Sequence, residues 1–238
     1  MTAAPLTPGP WAESWLSVGR FRTYLDAVAG DRTKALNLYE WNASMSAAIM
    51  HDLGHLEVAV RNAYNGALEA RQPGPLHWTE DLGRYFPCRR GRAADGTPID
   101  RNEKPRRQVN RAILDAGGPS APRGKVIAEL MFGFWRYLTT RTHDGTLWVP
   151  YLRWGFAVGM AARGPVPLSR PIVDGAMGEL HMLRNRVAHH EPLLSTDLTA
   201  RRAELFLLLD LIDSDLSQYV QQQSRWAAIV AQRPSPKV

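Results

Sequence analysis

One short segment of the chain concentrates residues that can move protons and bind phosphate. Arg184, Asn185, His189 and His190 lie in the run 183–192, LRNRVAHHEP. Apolar residues at helical spacing precede this run, so we expect it to end a helix, where the dipole favours a protonated imidazole. A histidine can transfer a proton at the ribose 2′-hydroxyl or the leaving 5′-oxygen, and an arginine can bind phosphate bidentately. Arginine and histidine together in this segment therefore predict metal-independent cleavage of RNA that leaves a 2′,3′-cyclic phosphate.

The same segment has a plainer interpretation. An arginine and a histidine five positions apart differ by about 140° around a helix and by about 7.5 Å along it, so they do not lie on one face of the helix. Both residue types are also common at helix C-termini, because they suit the dipole. On spacing alone, a catalytic and a structural role for Arg184 and His189 both stay open. Adjacent histidines point apart and no acidic set completes a site, so we predict no metal and no cofactor.

A second charged pair lies earlier in the chain. Glu57 and Arg61 are four positions apart, which places them on one face of a predicted helix where they can pair. The Arg-Asn dipeptide at 61–62 repeats the one at 184–185. Two interpretations stay open: a structural ion pair between packed helices, or a brace that holds the Arg/His site in place.

Positive charge is concentrated in the segment 84–111. It holds nine basic residues against three acidic ones, a balance of +6 that equals the net charge of the whole chain. Its glycines and prolines predict an exposed loop that leads into a short helix near 104–116. Such a loop can bind RNA phosphates, although a merely solvated loop is equally consistent with it. The candidate RNA-binding residues are Arg89, Arg90, Arg92, Arg106 and Arg107.

Two tryptophans have different predicted roles. Trp78 lies beside the basic loop, where it could stack on a base of the RNA. Trp135 lies on an apolar helix, in the run 132–135 (FGFW), and is predicted to belong to the core.

Helices must position all of these residues, because no long stretch alternates β-branched and polar residues. We expect one all-α domain over 1–238, with a basic, loop-rich insertion at 72–122 and a disordered tail at 233–238. Gly30 is predicted to end the first helix, Asp31 to cap the second, and Thr196 or Asp197 to cap the last. The predicted helices are 11–29, 33–71 with a break near Gly54, 125–140, 146–160, 169–190 and a last long helix that carries Leu205 to Ile212.

Composition excludes several classes of protein. The 238 residues are 45% hydrophobic and 22% charged, which is ordinary for a globular chain. The single cysteine, Cys88, excludes an intramolecular disulfide and a zinc ribbon. The N-terminus has no pattern of a secretion signal, and no apolar stretch approaches the roughly 18 residues of a membrane span. We therefore expect a cytoplasmic protein without a membrane partner.

Three sequence blocks together resemble the Abi-like (abortive-infection) family of bacterial proteins, within the HEPN superfamily. The first is the pair 38–42 (LYEWN) and 56–62 (LEVAVRN), the second is 132–135 (FGFW), and the third is 183–192. They follow one another in the family's order and span most of the chain, from about 36 to 194. The segment 71–122 matches no motif of the family.

This resemblance implies a HEPN-type helical bundle and a metal-independent endoribonuclease of phage defence or growth arrest. It implies a homodimer in which two motifs face one composite cleft, with an antitoxin or a phage-derived trigger as a further partner. Carried over by residue, Arg184 would bind phosphate, His189 would transfer the proton, Asn185 would support them, and His190 would be an auxiliary donor. Some proteins of this kind only bind RNA or a protein partner, which is the alternative function.

Overall fold

The computed structural model describes residues 8–156 and 169–234, and over these ranges the chain is mostly helical, as predicted. One small antiparallel hairpin is the exception. Three tight turns, of 3-10 type at Arg141–His143 and Leu152–Phe156 and of π type at Asp144–Trp148, follow α7. The elements are α1 Trp11–Leu16, α2 Val18–Ala27, α3 Arg32–Ala70, α4 Leu82–Tyr85, β1 Arg90–Arg92, β2 Pro98–Asp100, α5 Glu103–Asp115, α6 Arg123–Glu129, α7 Phe132–Leu138, α8 Arg170–Ala188, α9 Leu198–Ile212, α10 Ser214–Gln223 and α11 Trp226–Ala231.

The long helix α3 forms the centre of the molecule. The Asp31 carboxylate caps its N-terminus by accepting a hydrogen bond from the Lys34 amide at 3.0 Å, as predicted. The preceding helix ends earlier than predicted, because α2 ends at Ala27 and Ala29, with φ +53°, takes the position that was expected of Gly30. The helix continues without a break through Gly54. Its buried positions recur at helical spacing, and α2, α7, α8, α9 and α11 all pack against it.

Two predicted helices are each divided in two. At Ser17, φ is +68° and the hydroxyl accepts a hydrogen bond from the Arg20 amide, so α1 ends and α2 begins there. At Leu130 and Met131 the backbone is extended, which separates α6 from α7. The prediction of one helix over 11–29 and one over 125–140 was therefore wrong at these junctions.

The predicted helix over 146–160 is also wrong for the part that the structure describes, since 157–160 lie outside it. The π turn and the following 3-10 turn occupy 144–156 instead. Gly155 explains part of this, because a Cβ at that position would lie 2.8 Å from the carbonyl oxygen of Ala63. This close approach of the turn to α3 requires a glycine and cannot be read from local periodicity.

The basic loop contains more order than predicted. Strands β1 and β2 pair antiparallel, with Arg90 opposite Asp100 and Arg92 opposite Pro98. The predicted helix near 104–116 is present as α5, at Glu103–Asp115. Strands of three residues are too short to show an alternating pattern, so periodicity gave no sign of the hairpin.

Three helices occupy the C-terminal part instead of one long helix. Asp197 caps α9 as predicted, and Asp213 then ends α9 and caps α10 through the amides of Asp215 and Leu216. The indole of Trp41 on α3 donates a hydrogen bond to the carbonyl of Ile229 at 2.8 Å, which holds α11 against the centre. The predicted tail is non-helical at 233–234, and 235–238 lie outside the described residues. Over the described ranges, every helix is too short or too polar to cross a membrane.

Candidate active site

The C-terminal end of α8 presents two of the predicted site residues to solvent. His189 caps the helix, and His190 follows in the left-handed region with φ +54°. The Glu191 amide bonds the Arg186 carbonyl at 2.9 Å and the His190 amide bonds the Val187 carbonyl at 3.0 Å. These two bonds define a Schellman motif. Both histidine side chains are exposed, so the turn offers two imidazoles beyond the helix end.

The chain is held on both sides of these histidines. The Arg186 guanidinium donates to the Pro192 carbonyl at 3.1 Å and lies 3.7 Å from the Glu191 carboxylate. The Leu193 amide, which is buried, donates to the side-chain oxygen of Asn42 on α3 at 2.7 Å. The segment after α8 is therefore fixed to the central helix, and Asn42 belongs to the LYEWN block.

Arg184 lies between α8 and α3. Its Nε is 3.5 Å from Oε1 of Glu57, and the two side chains are 25% and 19% exposed. The expected partner of Glu57 was Arg61, its neighbour one turn along α3, whereas the structure pairs Glu57 with Arg184 across two helices. The Nε atoms of Arg184 and of Arg61 are buried and have no hydrogen-bond partner. Donor capacity of Arg184 for an anion therefore lies in its two terminal Nη groups, since its Nε faces Glu57.

Asn185 contacts a histidine that the sequence reasoning missed. Its amide nitrogen lies 3.4 Å from Nε2 of His181, one turn earlier on the same face of α8. Burial lowers the pKa of His181, and the positive charges of Arg136, Arg184 and Lys104 lower it further. His181 is therefore neutral near pH 7, with Nε2 facing the amide donor. The four-residue spacing from His181 to Asn185 is a signal that could have identified it.

The FGFW block, on α7, contacts the same part of α8. A Cβ at Gly133 would lie 3.0 Å from Nε2 of His181, so α7 packs closely over this histidine. Trp135 is fully buried and donates to the Leu130 carbonyl at 3.1 Å, in agreement with its predicted place in the core. The three sequence blocks, which are far apart along the chain, thus converge where α3, α7 and α8 meet. We call the cluster of Glu57, Arg136, His181, Arg184 and Asn185 the α3–α7–α8 site.

Three of the five candidate RNA-binding arginines make bonds within the insertion or to its neighbour. Arg106 donates to the Phe86 carbonyl at 2.7 Å and to the Asp100 carboxylate, and it is half-buried. Arg89 donates to the carbonyl of Thr142, and Arg92 donates to a carbonyl of the hairpin turn at 2.9 Å.

Asp100 is the centre of these bonds. It also accepts hydrogen bonds from the backbone amides of Arg89 and Asn102, and the Arg106 guanidinium beside it holds its pKa well below the usual range. Arg106 is therefore engaged in the architecture of the loop. Arg89, Arg90, Arg92 and Arg107 are exposed and form the accessible part of the candidate RNA-binding surface.

The suggestion that Trp78 stacks on RNA was wrong. Its side chain is fully buried, its indole donates to the side-chain oxygen of Asn65 at 2.9 Å, and its ring stacks on Phe134 with centroids 6.1 Å apart. The apolar face of α7 covers it, which the local composition around residue 78 does not indicate.

The structure leaves the predicted arginine and histidines apart. None of the hydrogen bonds or ion pairs over 8–156 and 169–234 joins Arg184 to His189 or His190. Within the same ranges, no group of three or more His, Cys, Asp or Glu side chains is placed to hold a metal ion.

Comparison of the chain with protein-family models, with curated proteins and with solved structures finds no match in any of the three. The fold and the site thus define an all-α protein with a cationic, partly buried cluster at the junction of three helices. The assignment to the HEPN superfamily and every activity that it implies are proposals.

Proposed function

We propose that this protein is a HEPN-type endoribonuclease that cleaves RNA without a metal. The observation that carries the proposal is the placement of Arg184. Its Nε faces Glu57 at 3.5 Å, which leaves the terminal Nη groups for a phosphate, and it lies on the last turns of a helix whose exposed end carries His189 and His190. A cation for phosphate and a proton carrier are what cleavage by the ribose hydroxyl needs from a protein.

The chemistry assigns a role to each residue. Arg184 binds the scissile phosphate and stabilises the charge that develops on its oxygens. The 2′-hydroxyl attacks the phosphorus as its proton passes to a basic group, and the bond from phosphorus to the 5′-oxygen breaks as that oxygen takes up a proton. His189 carries out one of these transfers, His190 serves as an auxiliary donor, and Asn185 supports the phosphate site. Glu57 orients Arg184.

A second copy of the chain completes this proposal. Arg184 is not in contact with either histidine in one copy, and both histidines are exposed at the end of α8. A homodimer that pairs two such helix ends would place two arginines and four histidines around one cleft. The resemblance suggests a setting in phage defence or growth arrest, with an antitoxin or a phage-derived trigger that controls the activity.

The alternative function is a module that binds RNA, or a protein partner, without cleaving it. The exposed arginines Arg90, Arg92 and Arg107 favour RNA binding, because exposed guanidinium groups suit contacts with phosphate. In that case the affinity for RNA would depend on these arginines and not on His189.

The deciding experiment incubates the purified protein with total RNA in EDTA. We expect the wild type to cleave, and Arg184→Ala and His189→Ala each to lose about 100-fold or more of the rate, the scale of lost acid–base or electrostatic catalysis. Arg22→Ala is the matched control, because Arg22 is exposed on α2 and pairs only with its helix neighbour Asp26. The product ends should be 2′,3′-cyclic phosphates or their hydrolysis products.

Two results would overturn the nuclease proposal. One is cleavage that persists in both variants, and the other is a product with a different 3′ end. If the wild type binds RNA without cleaving it, and His189→Ala binds equally well, the binding module is the better description.

A further inference from the structure

A cavity of about 490 Å³ runs along α8 beside the α3–α7–α8 site. The side chains of Arg136, Arg170 and His181 line it. Its floor includes Gly175 and Gly178, where the absence of side chains exposes the helix surface. A Cβ at Gly178 would lie 3.3 Å from the Arg136 guanidinium, so the glycine allows this arginine to lie flat against α8.

Positive charge dominates the end of this cavity at His181. Arg136, Arg184 and Lys104 all lower the pKa of this imidazole. Three cations around a neutral histidine create a positive potential that attracts anions. Lys104 comes from the first turn of α5, so the basic insertion and α8 contribute to the same field.

The acidic residues that line the cavity already have arginine partners. Asp174 bonds Arg170 at 2.9 Å and lies 3.6 Å from Arg136, and Glu179 pairs with Arg201. Asp174 offsets part of the charge of Arg136, but the neighbouring charges that act on His181 still lower its pKa, as cations do. Arg170 is fully engaged, because it also pairs with Asp144 at 3.0 Å.

Two arginines near His181 retain unused donors. The Nε atoms of Arg136 and of Arg184 are buried and have no hydrogen-bond partner. Each ion pair that these side chains make is long, at 3.6 Å and 3.5 Å. Both Nε atoms face the protein, and Nε of Arg184 faces Glu57, so it is the terminal Nη groups of these partly exposed arginines that would donate to a ligand oxygen.

We propose that Arg136 and His181 form a second phosphate subsite, which binds the RNA phosphate next to the one held by Arg184. The inference rests on the proposed function and extends it by giving the strand a path along α8. His181 stands three positions before Arg184, so the two subsites are neighbours on one helix face. Nε2 of His181 faces the Asn185 amide, which leaves Nδ1–H to donate to a phosphate oxygen.

The first test needs no cleavage. The pKa of His181 is measured by NMR of the imidazole in the wild type, with and without inorganic phosphate. We expect phosphate to raise this pKa by about one unit, because a bound anion offsets the neighbouring cations. Arg136→Gln should abolish the rise, Arg136→Lys should restore most of it, and Arg22→Gln should leave it unchanged. An unchanged His181 pKa in saturating phosphate would overturn the subsite.

The second test asks whether bound RNA occupies the subsite. The affinity for a 2′-O-methyl RNA oligonucleotide, which cannot be cleaved, is measured as a function of salt. We expect Arg136→Gln to reduce the slope of log affinity against log salt by about 0.7, the contribution of one phosphate of a single strand. Asp174 keeps its bond to Arg170 in this variant, so the fold is retained.

The outcomes separate the two proposals. An unchanged slope with tight RNA binding means that the strand bypasses Arg136, which contradicts the subsite and leaves the nuclease proposal intact. If phosphate binds at His181 but RNA does not bind at all, both the RNA path and the proposed function fail.

Discussion

At the scale of single residues, Glu57 determines where Arg184 lies. The carboxylate comes from α3 and the guanidinium from α8, and they are 3.5 Å apart in a partly buried position. No other acidic residue pairs with Arg184 among the ion pairs of the described chain. The role of Glu57 is therefore to position a charge, and its removal should affect the chemistry more than the fold.

We expect Glu57→Gln to lower the rate of RNA cleavage about tenfold, since small displacements of a catalytic group have large effects on rate. The free energy of unfolding should change by less than about 1 kcal/mol, because partly exposed ion pairs contribute little. Rates under single-turnover conditions and urea unfolding measure the two effects. Glu13→Gln, which breaks the shorter, bidentate pair with Arg32 outside the site, is the control. Equal activity of the two variants would contradict the assigned role.

The residues of the site were predictable to different degrees. Arg184, Asn185, His189 and His190 stand in one run, so their types and order are visible in the sequence. The partner of Glu57 was not predictable, because helical spacing points to Arg61 whereas the contact to Arg184 depends on how two distant helices pack. His181 and Arg136 were missed because the environment that unites them is tertiary.

At the scale of elements, the end of α8 stores backbone strain. His190 adopts φ +54°, a conformation that costs a non-glycine residue about 1 kcal/mol. The Schellman bonds of the neighbouring residues hold it there. A left-handed residue at this position is a common way to end a helix, and Ala29 adopts the same conformation at the end of α2.

We expect His190→Gly to raise the free energy of unfolding by about 0.5 to 1 kcal/mol, because glycine adopts this conformation without strain. Cleavage should fall at the same time if the imidazole donates a proton. Ala29→Gly is the matched control, since Ala29 has φ +53° at the end of α2, remote from the proposed chemistry. Thermal and urea unfolding give the stability. A destabilised His190→Gly protein would show that the imidazole packs or bonds in the native state.

Helix boundaries that depend on a capping side chain could be predicted from the sequence. Asp31 and Asp197 cap helices as expected, because capping depends on neighbours in sequence. The boundaries at Ser17 and in the turns before Phe156 escaped prediction, since helix periodicity continues through them. Tertiary packing overrides propensity at those points.

At the scale of the whole molecule, buried histidines link stability to pH. His143 is fully buried, neither ring nitrogen has a hydrogen-bond partner, and the rings of Phe86 and Tyr137 lie against it. Burial lowers the pKa of His143 to about 4, and the charge of Arg89 adds to this. Burial also lowers the pKa values of His77 and His181.

The unfolded chain binds a proton at His143 below pH 6.5, while the folded chain stays neutral there until about pH 4. Stability is therefore lost as pH falls through this window, by roughly 2 kcal/mol at pH 5 from this residue. We expect His143→Phe to remove that part of the loss. Urea unfolding of both proteins at pH 7.5 and pH 5 tests it, and equal losses in the two proteins would contradict the assignment.

Two adjacent residues of α3, Trp41 and Asn42, fix segments of chain that lie 188 and 151 positions away. The turn with His189 and His190 is thus held by a contact between the first third and the last fifth of the sequence. During synthesis the chain emerges from its N-terminus, so α3 is made long before its partners at Leu193 and Ile229. A nascent chain that has not yet reached Leu193 cannot fix this turn to α3, so a cell that makes the protein meets a completed site only after that residue has been added and released from the ribosome.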